Sequence, residues 1–231
     1  QHVDPVTGER TWTHEMDAIH KRVVGMLDSG DGGIIFVLGQ AGVGKTYLNR
    51  LLLAECRARE EVGLVCAPTA LAAGLYEGGL TAHDALKLTI VEDELYDEFS
   101  SYLNKHPSRE ELIINTRLII IDEVFNVHRG NFEAMLQQLR MSMKSGHVSG
   151  GKIIVCTGDI RQIPPVVKYG TQQQIIQASV VSMQMWETCE KFQLSIPQRQ
   201  RDPAFAALLD AVGEDKLAPV DQLDGFNVVP L

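Results

Sequence analysis

Near-continuous apolar runs divide the chain: Ile34–Leu38, Val62–Ala67, Leu118–Ile121 and Ile153–Thr157, with a shorter fifth at Phe192–Leu194. They are rich in Val, Ile and Leu and do not alternate with polar residues, which predicts strands buried on both faces, as in a parallel sheet. Between them the apolar residues return at helical spacing. Met16, Ile19, Val23, Val24 and Leu27 predict a helix capped by Thr11 or Thr13. Tyr47–Glu55 reads as a second helix. Phe132, Met135, Leu136 and Leu139 place a third over 131–143. Two more are expected near 181–188 and from Pro203 to about Val212. Gly30-Asp31-Gly32-Gly33, Pro68, Ser145-Gly146 and Gly150-Gly151 break the chain between these segments. Residues 69–74 and 78–83 read as small-residue turns into short helices. Residues 88–115 read as helical in pieces, broken at Pro107. Strands alternating with helices predict an α/β fold whose parallel sheet is covered on both faces.

In such sheets ligands bind beyond the C-terminal ends of the strands. The first strand runs into Gly39-Gln40-Ala41-Gly42-Val43-Gly44-Lys45-Thr46. Strand, glycine-rich turn and helix with G-x-x-x-x-G-K-T form a P-loop, whose backbone N–H groups wrap an anion at a helix N-terminus. Lys45 is placed to reach the β- and γ-phosphates, and the Thr46 hydroxyl to hold Mg²⁺. Asp122-Glu123 follows the third strand. An Asp there reaches the cation beside a P-loop, and a neighbouring Glu suits polarising the attacking water. After the fourth strand comes Gly158-Asp159-Ile160-Arg161-Gln162-Ile163-Pro164-Pro165-Val166. The Gln162 amide can touch a γ-phosphate or its water, and the two prolines stiffen the segment around it.

Composition narrows the picture. The chain has 231 residues, 45% of them hydrophobic, and a net charge of −9. That balance argues against a broad basic DNA-binding surface but does not exclude a nucleic-acid groove. Residues 88–115 carry seven acidic and two basic side chains, so they alone supply −5. No apolar run approaches the ~20 residues of a membrane span, and no membrane partner is expected. Cys56, Cys66, Cys156 and Cys189 include no C-x-x-C pair, and read as buried free thiols in a reducing compartment. The N-terminal residues are polar and do not begin with Met. The expectation is an intracellular protein, in nucleus or cytoplasm, represented by a fragment.

The segments GQAGVGKT, APTALAA, Gly79-x-Thr81-x-His83, IIIDE, GDIRQIPPV and PQRQRDPAF occur in that order. This order resembles superfamily 1B DNA helicases of the RecD and petite-integration-frequency (Pif-type) group, including those of Helitron-like transposons and large viruses. The resemblance runs from about Thr11 to about Val212, and GDIRQIPPV is its most specific part. It implies a P-loop NTPase with RecA-like domains that uses ATP and Mg²⁺ to move 5′ to 3′ along single-stranded DNA. It assigns the nucleotide to Gly39, Gly42, Val43, Gly44, Lys45, Thr46 and Tyr47. Thr46 and Asp122 fall to the metal. Lys45, Glu123, the γ-phosphate sensor Gln162 and the phosphate-contacting Arg199 are the implied catalytic set. Thr69, Thr81 and His83 match segments that line single-stranded DNA, where hydroxyl and backbone N–H groups contact phosphates. Trp12 and Trp186 are candidates for base stacking, although Trp186 reads as a core residue.

The resemblance implies three divisions: 1–33 leading in, 34–195 as the first RecA-like motor domain, and 196–231 as the start of, or linker to, a second. That second domain of the same protein is then expected to be mostly absent. Residues 88–115 read either as the small accessory subdomain such helicases insert or as a solvated face. The family's adenine-reading Gln has no counterpart near Glu15-Met16. The expected partners are single-stranded and tailed duplex DNA, with the protein a monomer. Two other functions fit parts of the pattern: another P-loop enzyme, such as a nucleotide kinase or clamp-loader-type ATPase, and a non-catalytic DNA-binding module derived from a helicase. The proline-paired motif speaks against the first. The presence of Lys45, Asp122, Glu123 and Gln162 speaks against the second.

Overall fold

The computed structural model describes residues 12–89, 98–162 and 165–198. Six strands form one parallel sheet: β1 (Gly33–Gly39), β2 (Val62–Ala67), β3 (Leu80–Thr81), β4 (Thr116–Ile121), β5 (Ile153–Gly158) and β6 (Glu190–Leu194), in the order β3-β2-β4-β5-β1-β6. The main helices are α1 (His14–Ser29), α2 (Lys45–Ala58), α3 (Ala70–Ala73), α4 (Ala82–Leu86), α5 (Pro107–Asn115), α6 (Arg129–Met143) and α7 (Gln172–Ala178).

Both faces of the sheet are covered, which is why its strands lack alternation. Phe36, Cys66, Ile119, Ile121, Ile154 and Cys156 point into one core beneath α4, α5 and α6. Their strand neighbours Ile35, Val37, Val65, Ile120 and Val155 point into the other, beneath α1 and α2. All six residues of central strand β5 are buried. In the first core Phe36 stacks on Phe132 at 6.3 Å and meets the edge of Trp186 at 4.9 Å. Trp186 is thus half-buried packing, with Lys191 over its ring at 4.8 Å. Cys56, Cys66 and Cys156 are buried, and burial raises all three thiols, Cys56 to about 11.

Several expectations change in detail. Thr13 caps α1, accepting from the Met16 N–H at 3.2 Å, while Thr11 lies outside the described residues. Pro107 opens α5 at its first turn, where its missing N–H costs nothing. The helix expected near 181–188 is two single 3₁₀ turns, 180–182 and 184–186, separated by Met183 in extended conformation. The helix in this region is instead α7, closed by a Thr171/Gln174 capping box. The helix expected from Pro203 lies outside the described residues. No described helix is long and apolar enough to cross a membrane.

Candidate nucleotide site

The chain leaves β1 and turns back into α2 through Gly42 and Gly44, at φ of +86° and +94°. Gly44 is the N-cap of α2 and has no side chain to satisfy the first N–H groups. N–H groups at the positive end of a helix suit an anion. The cradle is tight. A Cβ on Gly39 would come within 2.7 Å of Val43 Cγ2, and one on Gly44 would overlap Met16 Cε. Val43 is 2% exposed and packs beneath the loop, so only its backbone can face a ligand. Lys45 is buried, and its Nζ donates to the carbonyls of Gly39 at 2.7 Å and Gln40 at 2.9 Å.

Beside the loop lies an open cleft of about 450 Å³, lined among others by Lys45, Thr46, Tyr47, Glu123 and Gln162. It therefore gathers residues predicted from three separate motifs. Glu123 leaves β4 in the left-handed region, at φ +53°, a conformation that non-glycine residues adopt at a cost and that concentrates at functional sites. Burial raises its carboxyl above the ordinary value. Lys45 opposes the rise, and the charges of Asp122 and Asp159 add to it. Gln162 sits half-buried in the turn after β5, its N–H donating to the Asp159 carbonyl at 3.1 Å.

Asp122 is 3% exposed. Its Oδ2 accepts from the Tyr76 hydroxyl at 2.6 Å, and its Oδ1 from the Thr157 hydroxyl at 2.8 Å. The oxygens that could hold a metal here are the Asp122 carboxylate and the Thr46 hydroxyl. These hard oxygens suit Mg²⁺, which keeps several waters and uses one or two protein ligands plus phosphate. Among the described residues no cluster of three or more His, Cys, Asp or Glu could hold a metal by itself.

Three contributors were not singled out as site residues from the sequence, although Gln198 lies within PQRQRDPAF. Arg50, one turn beyond Thr46, lines the cleft and donates to the Leu75 carbonyl at 2.5 Å. Gln198 also lines it, its N–H bonded to the Gly42 carbonyl at 2.8 Å. Glu15, on α1, accepts from the N–H groups of Ser195 at 2.9 Å and Ile196 at 3.3 Å and from the Ser195 hydroxyl. The strand leaving the sheet is thereby tied to α1 and then to the loop. Glu15 is so engaged and Met16 fully buried, and neither side chain carries an amide that could read a base. Arg199 lies outside the described residues.

The residues assigned to DNA lie elsewhere on the same sheet edge. Thr69 caps α3, accepting from the Ala72 N–H at 3.2 Å, and Thr81 caps α4, accepting from Asp84 N–H at 3.1 Å. Each hydroxyl proton remains available to a further acceptor. Thr81 and His83 line a second open cleft of about 360 Å³ with Lys87, Tyr102 and His106. Burial lowers the pKa of His83, which favours the neutral ring. Thr69 is exposed and is not part of that cleft's wall. Trp12 is half-buried, edge-on to His20 at 5.5 Å.

The chain resembles known proteins in both sequence and fold. The profile of the family described as PIF1-like helicase matches residues 11–218. The chain is 30% identical over 194 residues to the ATP-dependent DNA helicase PIF1 of Emericella nidulans, covering 81% of this chain and 25% of that protein. It is 33% identical over 138 residues to the ATP-dependent DNA helicase Pif1 of Campylobacter jejuni, covering 58% of this chain and 29% of that protein. The chain thus spans about a quarter of these relatives. Its fold superposes with TM-score 0.72 and 25% identity on a structure described as two coordinating Pif1 helicases unwinding forked duplex DNA, over 90% of this chain and 49% of that one. For Bacteroides Pif1 bound to single-stranded DNA the TM-score is 0.70 at 24% identity, over 89% and 47%. The α/β fold is therefore that of a RecA-like P-loop domain. The chain belongs to the PIF1-like helicase family.

Proposed function

We propose that residues 34–195 are the first motor domain of an ATP-dependent DNA helicase, with 1–33 leading in and 196–231 leading toward a second RecA-like domain. The observation that carries this reading is the meeting of Lys45, Thr46, Glu123 and Gln162 around one cleft at the ends of β1, β4 and β5. The phosphates lie on the N–H groups that open α2, with Lys45 exchanging its two carbonyl partners for phosphate oxygens. Thr46 and Asp122 hold Mg²⁺, which, when bound, offsets charge on the transferring phosphoryl group. Glu123 accepts the proton of the attacking water, a role its raised pKa suits. Gln162 senses the γ-phosphate and passes its state through the turn after β5. Arg199 and the second domain complete the site. Thr69, Thr81 and His83 contact the backbone of single-stranded DNA, along which the protein moves 5′ to 3′.

The test is ATP hydrolysis by the protein containing both motor domains, with and without single-stranded and tailed DNA. DNA should stimulate turnover, and Lys45→Ala should abolish it while leaving the fold intact. Turnover that ignores DNA would reject the motor reading. Turnover that survives Lys45→Ala would reject the P-loop assignment.

A further inference from the structure

Asp122 sits inside the fold with both oxygens engaged. Oδ2 accepts from the Tyr76 hydroxyl at 2.6 Å; Oδ1 accepts from the Thr157 hydroxyl at 2.8 Å and the Glu123 N–H at 3.1 Å. A carboxylate has no proton to give, so each hydroxyl must direct its single proton at Asp122. What remains on both hydroxyl oxygens is lone pairs, and only a donor can face them. Asn49 supplies that donor: its Nδ2 lies 2.9 Å from the Tyr76 oxygen and 2.9 Å from Thr157 Oγ1. The hydrogen-bond directions are therefore fixed by chemistry, and so is the orientation of the Asn49 amide. Its Oδ1 is left buried without a partner. Asn49 and Thr157 are fully buried, and Tyr76 is 5% exposed.

The Tyr76 hydroxyl thus holds the carboxylate assigned to the cation. We propose that Tyr76, oriented by Asn49, is a positioning residue for the divalent-cation site, fixing the Asp122 carboxylate before the metal arrives. The inference rests on the reading of Thr46 and Asp122 as Mg²⁺ ligands. Partners that orient a metal's direct ligands typically change its affinity by about 10–100-fold when removed.

The test uses the whole 231-residue chain and a fluorescent ADP analogue. Tyr76→Phe removes one hydroxyl and almost no volume. Nucleotide binding is titrated with Mg²⁺, and affinity without metal is measured in EDTA. The Mg²⁺ midpoint should rise about tenfold or more, while metal-free affinity stays within about twofold. If Tyr76→Phe fails to fold, Thr157→Val removes the other hydroxyl on Asp122 and carries the same expectation. An unmoved midpoint, with or without a loss of thermal stability, overturns the inference provided that Asp122→Asn raises it; Tyr76 then only satisfies a buried carboxylate. An unmoved midpoint in both Asp122→Asn and Thr46→Val overturns the cation-site reading itself, and the inference with it.

Discussion

At Gly44 the loop meets both Met16 of α1 and Gln198 of the segment after β6, and Gly44→Ala measures how much that crowding matters. Two costs separate. The backbone stands at φ +94°, where an L side chain is strained by about 1–3 kcal/mol. The new Cβ would also overlap Met16 Cε and press on Gln198 Cγ at 3.2 Å. Met16 is fully buried, so its methyl must retreat into a packed core, at about 1–3 kcal/mol. Together these are about 2–6 kcal/mol, a large share of the roughly 5–15 kcal/mol that holds a domain folded. Urea unfolding gives the sum, and a double-mutant cycle with Met16→Ala divides it. Met16→Ala alone should cost about 2–5 kcal/mol. In its background Gly44→Ala should cost only the backbone part, a coupling of about 1–3 kcal/mol. Binding of an ADP analogue should fall in both glycine variants, because the N–H groups that open α2 turn away from the phosphates. Additive costs within about 0.5 kcal/mol would falsify the close approach of Met16 to the loop. Unchanged ADP affinity would separate the glycine from the phosphate site.

Two further outcomes follow from the charged groups. A general base works deprotonated, so turnover should rise with pH through the pKa of Glu123. Because burial and the neighbouring Asp122 and Asp159 raise that pKa, the acidic limb of the DNA-stimulated ATPase profile should lie above the ordinary carboxylate value of 4.5; Glu123→Gln should lower turnover at least about a hundredfold, in line with general-base contributions, and a variant that keeps both rate and limb removes Glu123 from the role. Burial pushes the Glu15 carboxyl up, but the hydrogen bonds from Ser195 and Ile196 outweigh it, and the pKa is lowered overall. A lowered carboxyl stabilises above its unfolded value and loses that contribution as pH falls through the folded one. Protection of the Ser195 and Ile196 amides from hydrogen exchange should therefore persist at neutral pH, fade in acid, and be lost in Glu15→Ala; protection that survives the substitution places the restraint elsewhere.

How far the sequence could be read depended on how local each cause is. The runs at 34–38, 62–67, 118–121 and 153–157 were legible because burial from both faces leaves no polar position along a strand. The P-loop was legible because its glycines answer to backbone geometry within eight residues. The two-residue β3 was not, since pairing of Leu80 and Thr81 with Cys66 and Ala67 is all that defines it. Helix α7 was not, because Gln172-Gln173-Gln174 gives no apolar stripe and its start rests on a capping box. Around Val180 and Met183 apolar spacing imitated a helix, whereas extended Met183 lets each short turn dock separately on the core. The same distinction runs through the site. Motif spacing pointed to Lys45, Thr46, Asp122, Glu123 and Gln162, since each follows a strand end directly or by a few residues. It could not point to Asn49 or Tyr76, whose partners lie 27, 46 and 108 residues away along the chain. The sheet order sets β5 between β1 and β4, bringing the ends of all three beside α2. Only in that arrangement do Asn49, Tyr76, Asp122 and Thr157 become neighbours. Short-range pattern therefore identifies the groups that would touch ATP, while strand order determines which side chains aim them.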